Sequence, residues 1–188
     1  GKFYQVLLMQ HREDLAPDEV TNAFFQLGVV KLEQNERRKA LNMFDKALEQ
    51  DPGHRDTLGR VIQIHEGDGS WDQVIHYKKR LLEATEDEAE RFRLYDQIGE
   101  HWQKELKNAV KAIEAYAEAS ALQPKNHVML HKLLGLYTET AQWERVIEII
   151  DRIADLDARP ENKAKYANTV GVIYRDELKD ADSALKRF

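Results

Sequence analysis

The chain is predicted to be all-α, built as an array of helical hairpins, and three observations carry that prediction. Good helix formers (Ala, Leu, Glu, Lys, Gln and Arg) dominate the 188 residues, which include only four prolines. Segments return at a fixed spacing. "ELKNAVKAIEAY" (105–116) comes back as "ELKDADSALKRF" (177–188), with Glu105 and Glu177 72 residues apart, as are Trp71 and Trp143. Third, Gly28, Gly99 and Gly171 recur inside helical stretches. Glycine within a helix costs about 1 kcal/mol relative to alanine, so its periodic use argues for close helix–helix contact in return.

The elements follow in order. Residues 3–14, "FYQVLLMQHRED", read as the tail of a second helix with no first helix before it. Pro17 suits a first helical position with Asp18 and Glu19 at the positive helix end, giving a helix over 17–34. A helix over 37–50 carries Ala40, Phe44 and Ala47 and is followed by Pro52. The next pair spans 55–66, with Leu58, Val61, Ile62 and His65, and 71–84, opened by Trp71 and Val74. Lys78 stands there where a large apolar residue is expected, with Tyr77 beside it to compensate. "TEDE" (85–88) has the form of a capping box with Thr85 as N-cap. It opens a helix over 86–105 with Tyr95, Gly99 and Trp102, paired with 108–122, which carries Ala112, Tyr116 and Ala119 before Pro124. Then come 126–139, with Leu130, Leu133, Leu134 and Tyr137, and 143–155, with Trp143, Val146, Ile150 and Ile153. Pro160 and Glu161 open a helix over 160–177 with Gly171 and Tyr174, and 180–188 ends on Ala184 and Phe188.

These residues resemble the tetratricopeptide repeat, a helix–turn–helix unit with a large–x–x–Leu–Gly–x–x–aromatic signature followed by Ala, Phe and Pro. "FFQLGVVKLEQNERRKALNMFDKALEQDP" (24–52) is the clearest copy. "YDQIGEHWQKELKNAVKAIEAYAEASALQP" (95–124) matches with one extra residue, assigned to its inter-helix turn, and "ANTVGVIYRDELKDADSALKRF" (167–188) matches to its end. Lys31 departs from the aromatic expected three after Gly28, and the two intervening copies lack the signature glycine. The chain thus alternates two repeat types, and the 72-residue period is a pair of hairpins. The first helices of the odd repeats are expected to be about one turn longer. The organisation expected is a single array: the tail of a preceding repeat at 1–16, then repeats at 17–54, 55–85, 86–126 and 127–159 and a truncated one at 160–188. The resemblance implies a right-handed superhelix. The raw ends suggest a piece of a longer array that self-associates end to end, and the alternating pattern suggests a bacterial source.

Composition narrows the function. The net charge is −6, with 28 Lys and Arg interspersed among 34 Asp and Glu. No basic face is concentrated enough to neutralise nucleic-acid phosphates. No charge-free run is long enough to span a bilayer, and there is no cysteine for disulfide or thiolate chemistry. No secretory signal is evident, which would make this stretch cytoplasmic, although it begins at Gly1 and not at Met. "GDGS" (67–70) lacks the Lys–Ser/Thr ending of a phosphate loop. His127 and His131 lie one turn apart on a helix but have no identifiable third ligand, so neither a metal nor a cofactor is expected. No nucleophile stands beside a base. The tryptophans, including Trp102, are read as packing residues.

What remains is the inner surface. The family resemblance implies that first helices line a concave groove holding a partner peptide or helix, with a non-catalytic scaffold as the function. The groove residues would be Asn22, Phe25 and Val29, then Arg60 and Gln63, then Arg93, Asp96 and Glu100, then His131 and Lys132, and last Lys165, Asn168 and Arg175. This surface is graded from apolar around Phe25 and Val29 to basic near Lys132, Lys165 and Arg175. A carboxylate grip of paired Asn and basic residues is disfavoured, because Phe25, Val29 and Arg60 stand at the comparable places and Asp96 and Glu100 line the third first helix. The alternatives are a self-assembling structural array and a regulatory segment of a larger protein.

Overall fold

Helix-starting residues set the frame of the computed structural model, which describes residues 2–10 and 12–188, with the side chains of Gln10 and Arg12 outside the description. His11, within the expected first helix, lies outside the described residues. Among the described residues, eleven α-helices follow one another: α1 Lys2–Gln10, α2 Pro17–Glu33, α3 Arg37–Gln50, α4 Arg55–Gly67, α5 Trp71–Glu83, α6 Glu88–Glu100, α7 Ala109–Leu122, α8 His127–Glu139, α9 Trp143–Leu156, α10 Pro160–Asp176 and α11 Ala181–Arg187. Among the described residues there is no strand, and no helix is long and apolar enough to cross a membrane. Pro17 and Pro160 open α2 and α10 as expected. The side chains of His54, Asn108, Asn126 and Asp180 each accept a hydrogen bond from the backbone N–H three residues on, supplying one of the partners that a helix start lacks.

Two expectations about starts and turns change. Thr85 is not the cap of α6, which begins at Glu88. Its buried hydroxyl instead donates to the Leu81 carbonyl at 2.6 Å, and Arg55 donates to it at 3.1 Å. The extra residue of the third repeat does not lengthen the inter-helix turn. It is absorbed by a π-helical turn, His101–Glu105, that continues α6. A π turn accommodates one residue more than an α turn without breaking the helix axis. With it, the first helix of that repeat matches the 17 residues of α2 and α10 more nearly than the 13 of α4 and α8.

The packing falls into two compact units, one ending at Asp87 and the other Glu88–Phe188. In the first, Ala40, Phe44, Leu48, Leu58, Val61 and Ile64 form a core beside a smaller cluster of Val20, Phe24 and Ala47. In the second, one continuous core runs from Ala112 and Tyr116 through Met129, Leu130, Leu133 and Leu136 to Val146, Ile150 and Val170. The recurring glycines are where helices touch most closely. A Cβ added at Gly99 would stand 2.5 Å from Tyr116 Cε1, one at Gly28 2.6 Å from Phe44 Cδ1, and one at Gly171 2.8 Å from Phe188 Cε1. Each glycine-bearing first helix thus accepts the aromatic ring of its second helix directly against its backbone. At the corresponding places of the even repeats stand Ile62 and Leu134, opposite Lys78 and Ile150. Lys78 is buried, 5% exposed, and its ammonium reaches Glu66 at 3.1 Å. The aliphatic stem fills the core while the charge finds a partner near the end of α4. Tyr77 does not replace it but packs half-buried at the edge of the core.

Candidate functional site

The first helices present different surfaces in the two units. In the N-terminal unit, Phe25 on α2 is half-buried, 6.0 Å between ring centroids from Phe44 and 5.5 Å from His54. Its free side and Gln63, Arg60, Gly59, Asp56 and Arg55 of α4 line a cleft of about 460 Å³. Phe25, Arg60 and Gln63, expected on one face, are therefore brought together. Arg60 donates to Gln63 Oε1 at 3.3 Å. Val29 lies against the core one turn along from Phe25, and Asn22 is exposed.

The C-terminal unit places charge at the matching positions. Lys132 of α8 donates to Asp96 at 2.5 Å and to Glu100 at 3.1 Å, both on α6. Its ammonium also sits 5.0 Å from the centroid of the Tyr116 ring. Tyr116 donates its phenol to Gln103 at 3.1 Å, and burial pushes its pKa up. Burial acts to raise Glu100, but hydrogen bonds from Lys132 and Lys104 outweigh it and hold the carboxyl below its ordinary range. Burial acts to lower Lys132, and its two carboxylate partners reverse that and raise it. The surface around Lys132 is thus neutralised within the chain. Arg175 is likewise engaged, bidentate to Asp176 at 2.6 and 2.7 Å. Arg93, Lys165 and Asn168 are exposed.

His127 and His131 of α8 line a separate cleft, of about 340 Å³, with Asp157, Arg159 and Tyr166. Asp157 accepts from Arg159 and from Asn162, whose Nδ2 lies at 2.6 Å, and these bonds depress its pKa. Among the described residues, no three His, Asp or Glu side chains converge as a metal site.

The sequence reading missed the ion cluster at Lys132 and the cleft at His131. Asp96 and Lys132 are 36 residues apart, so only the stacking of successive hairpins brings them together.

No family model matches the chain, and no curated protein matches it. Solved structures do. The N-terminal domain of stress-induced protein-1 from C. elegans superposes with a TM-score of 0.51 at 16% identity, covering 65% of this chain and 98% of that one. The chain has the tetratricopeptide-repeat fold. Also similar are YrrB, described as a TPR protein with an unusual peptide-binding site (TM-score 0.49, 15% identity, 98% of this chain and 88% of that one). MamA gives a TM-score of 0.49 at 20% identity, over 91% of this chain and 89% of that one.

Proposed function

We propose that this tetratricopeptide array is a non-catalytic protein-interaction scaffold whose first-helix faces take up partner polypeptide, with the cleft at Phe25 as the apolar anchor site. The observation that carries the reading is the half-open Phe25 ring beside Arg60 and Gln63 in a cleft of about 460 Å³. An aromatic side exposed in a concavity, with hydrogen-bonding groups around it, is the kind of surface that anchors an apolar side chain and fixes the backbone of an extended peptide. Arg60 faces no acidic pair like the one that Lys132 meets, which leaves its guanidinium available to an incoming carbonyl or carboxylate. In the C-terminal unit, exposed Lys165 and Asn168 offer a polar surface to the same class of partner.

The test is selection of binders from a random peptide library displayed on phage, followed by affinity measurement on the wild type and on Phe25→Glu. Selected peptides should share an apolar anchor residue, and Phe25→Glu should weaken them by about tenfold or more, since burying an unpaired carboxylate costs at least about 1–3 kcal/mol. Peptides that bind Phe25→Glu as tightly as the wild type would overturn the assignment of the anchor.

A further inference from the structure

A second concavity opens on the other side of the hairpins in the C-terminal unit. It lies between the second helices α7 and α9, with α8 beneath, and measures about 330 Å³. Ala117 and Ala121 of α7 and Ile149 of α9 give it small or apolar walls. Tyr137 of α8 is 9% exposed and lines it, and among the described residues its phenol has no hydrogen-bond partner. Its ring is packed against the core, and its hydroxyl opens onto the cleft, where an incoming acceptor can reach it. The charged residues on the lining are two arginines and one glutamate: Arg145, paired with Glu148 at 2.8 Å, and Arg152, which donates to Ser120 Oγ at 3.0 Å and to the Pro124 carbonyl at 3.1 Å. The site is therefore net positive, with a free donor at its floor.

The N-terminal unit shows what such a site holds. Seventy-two residues earlier, Arg80 donates to the Pro52 carbonyl at 3.1 Å, as Arg152 does to that of Pro124. Around Arg80, however, the space is occupied by the chain's own side chains. Tyr77, at the place of Ile149, stacks on His65, at the place of Tyr137, with centroids 5.6 Å apart and planes 11° apart. Asp45, which stands at the place of Ala117, brings its carboxylate near this phenol. Arg80 lies 5.7 Å from the Tyr77 ring centroid. Replacing this ring and this carboxylate by Ile149 and Ala117 keeps the arginine and opens the cleft.

We propose that the cleft between α7 and α9 is a docking site for an acidic segment of a partner polypeptide. The partner's carboxylate is received by Tyr137 and Arg152, and an adjacent aromatic ring of the partner fills the space over Ala117 and Ile149. The partner supplies from outside what Asp45 and Tyr77 supply within the N-terminal unit. The site is independent of the cleft at Phe25.

The test is an NMR titration of the isotope-labelled chain with acetyl-Ala-Tyr-Asp-Ala-amide and with its Asn counterpart. The Asp peptide should give saturable shifts on the amides around Ala117, Tyr137 and Ile149. The Asn peptide should bind about tenfold more weakly, the size expected for one charge-assisted hydrogen bond. Tyr137→Phe should weaken the Asp peptide severalfold with its thermal midpoint retained. The double variant Ala117→Asp, Ile149→Tyr rebuilds the N-terminal unit's own filling and should abolish the shifts while the helical circular dichroism stays intact. Phe25→Glu should leave them unchanged, which separates this site from the first-helix face. Equal affinity for the Asp and Asn peptides, shifts confined to α2 and α4, no saturable shift, or undiminished binding by the filled double variant would each overturn the proposal.

Discussion

Equivalent positions on the first helices of the two units carry opposite chemistry. Phe25, Val29 and Arg60 in one become Asp96, Glu100 and Lys132 in the other. The backbone of the hairpins is the same in kind, so the difference lies in side chains that the core does not use. In the N-terminal unit an aromatic ring is left half in water beside an arginine that, among the described residues, bonds only Gln63. In the C-terminal unit a lysine is closed off by two carboxylates over a tyrosine ring. On the second-helix side the contrast reverses: Tyr77 and Asp45 fill the N-terminal unit, and Ile149 and Ala117 leave the C-terminal unit open. A repeat scaffold can thus move an open cleft from one side to the other without altering its packing frame.

The largest expected effect tests the frame that both units share. Gly99→Ala puts a methyl 2.5 Å from the ring of Tyr116, which is fully buried and cannot swing away. Overpacking of this sort costs about 1–3 kcal/mol, read as a lower midpoint in urea denaturation. Gly135, on the solvent side of α8, has nothing within 4 Å of an added Cβ, so Gly135→Ala should stabilise by about 0.5–1 kcal/mol. If both substitutions moved the midpoint the same way, close approach would not be what the periodic glycines serve.

A smaller effect bears on the charged face. Lys132→Met leaves Asp96 without its lysine and Glu100 with Lys104 alone. The side chains of Lys132, Asp96 and Glu100 are partly solvated, at 23, 30 and 38% exposure, so the loss should be about 1 kcal/mol. It should shrink as salt is raised toward 1 M, whereas Arg60→Met in the N-terminal unit should show no such salt dependence.

The smallest effect concerns pH. Burial between α3 and α5 lowers the pKa of His65, opposed by Asp68 and Asp45 and assisted by Arg37. The folded unit therefore holds the imidazole neutral where the unfolded chain already protonates it. Stability is retained above the ordinary histidine range and falls as pH drops through that range toward the lowered folded value. Asp45, raised chiefly by burial, acts in the opposite sense and in a more acid window. Amide exchange at pH 7.5 and 5.5 should show α4 and α5 opening more easily at the lower pH, with Tyr137's surroundings in α8 and α9 unaffected by this group. His65→Phe should remove the difference.

The helices were legible from local signals: prolines at starts, Asn and Asp caps, apolar periodicity and the echo at 72. Chemistry confined to one or two turns is written in neighbouring residues. Phe25, Arg60 and Gln63 are expected on one surface because the repeat resemblance puts the residues flanking each first helix's signature pair on a common groove face. The reading failed where the answer depended on a neighbour distant in sequence. One inserted residue can widen a helix or extend a turn with nearly the same sequence, so the π turn at His101–Glu105 is not readable locally. The four turn residues with positive φ besides Gly69, namely Asn35, Lys107, Ala141 and Lys179, were not anticipated. Only the first is of a type that accepts that conformation readily; elsewhere the closure of the hairpin imposes it.

By itself, then, the sequence determined that this chain is an all-α array of hairpins, the approximate run of its helices, and that the recurring glycines mark close helix contact. Those are consequences of backbone propensity, capping and periodic burial, all expressed within one hairpin. Tertiary structure alone decided that Lys78 is buried, that Lys132 is neutralised by carboxylates 32 and 36 residues away, and that a cleft lies open between α7 and α9. Each depends on how successive hairpins stack, and stacking brings together side chains whose separation in sequence no local rule predicts.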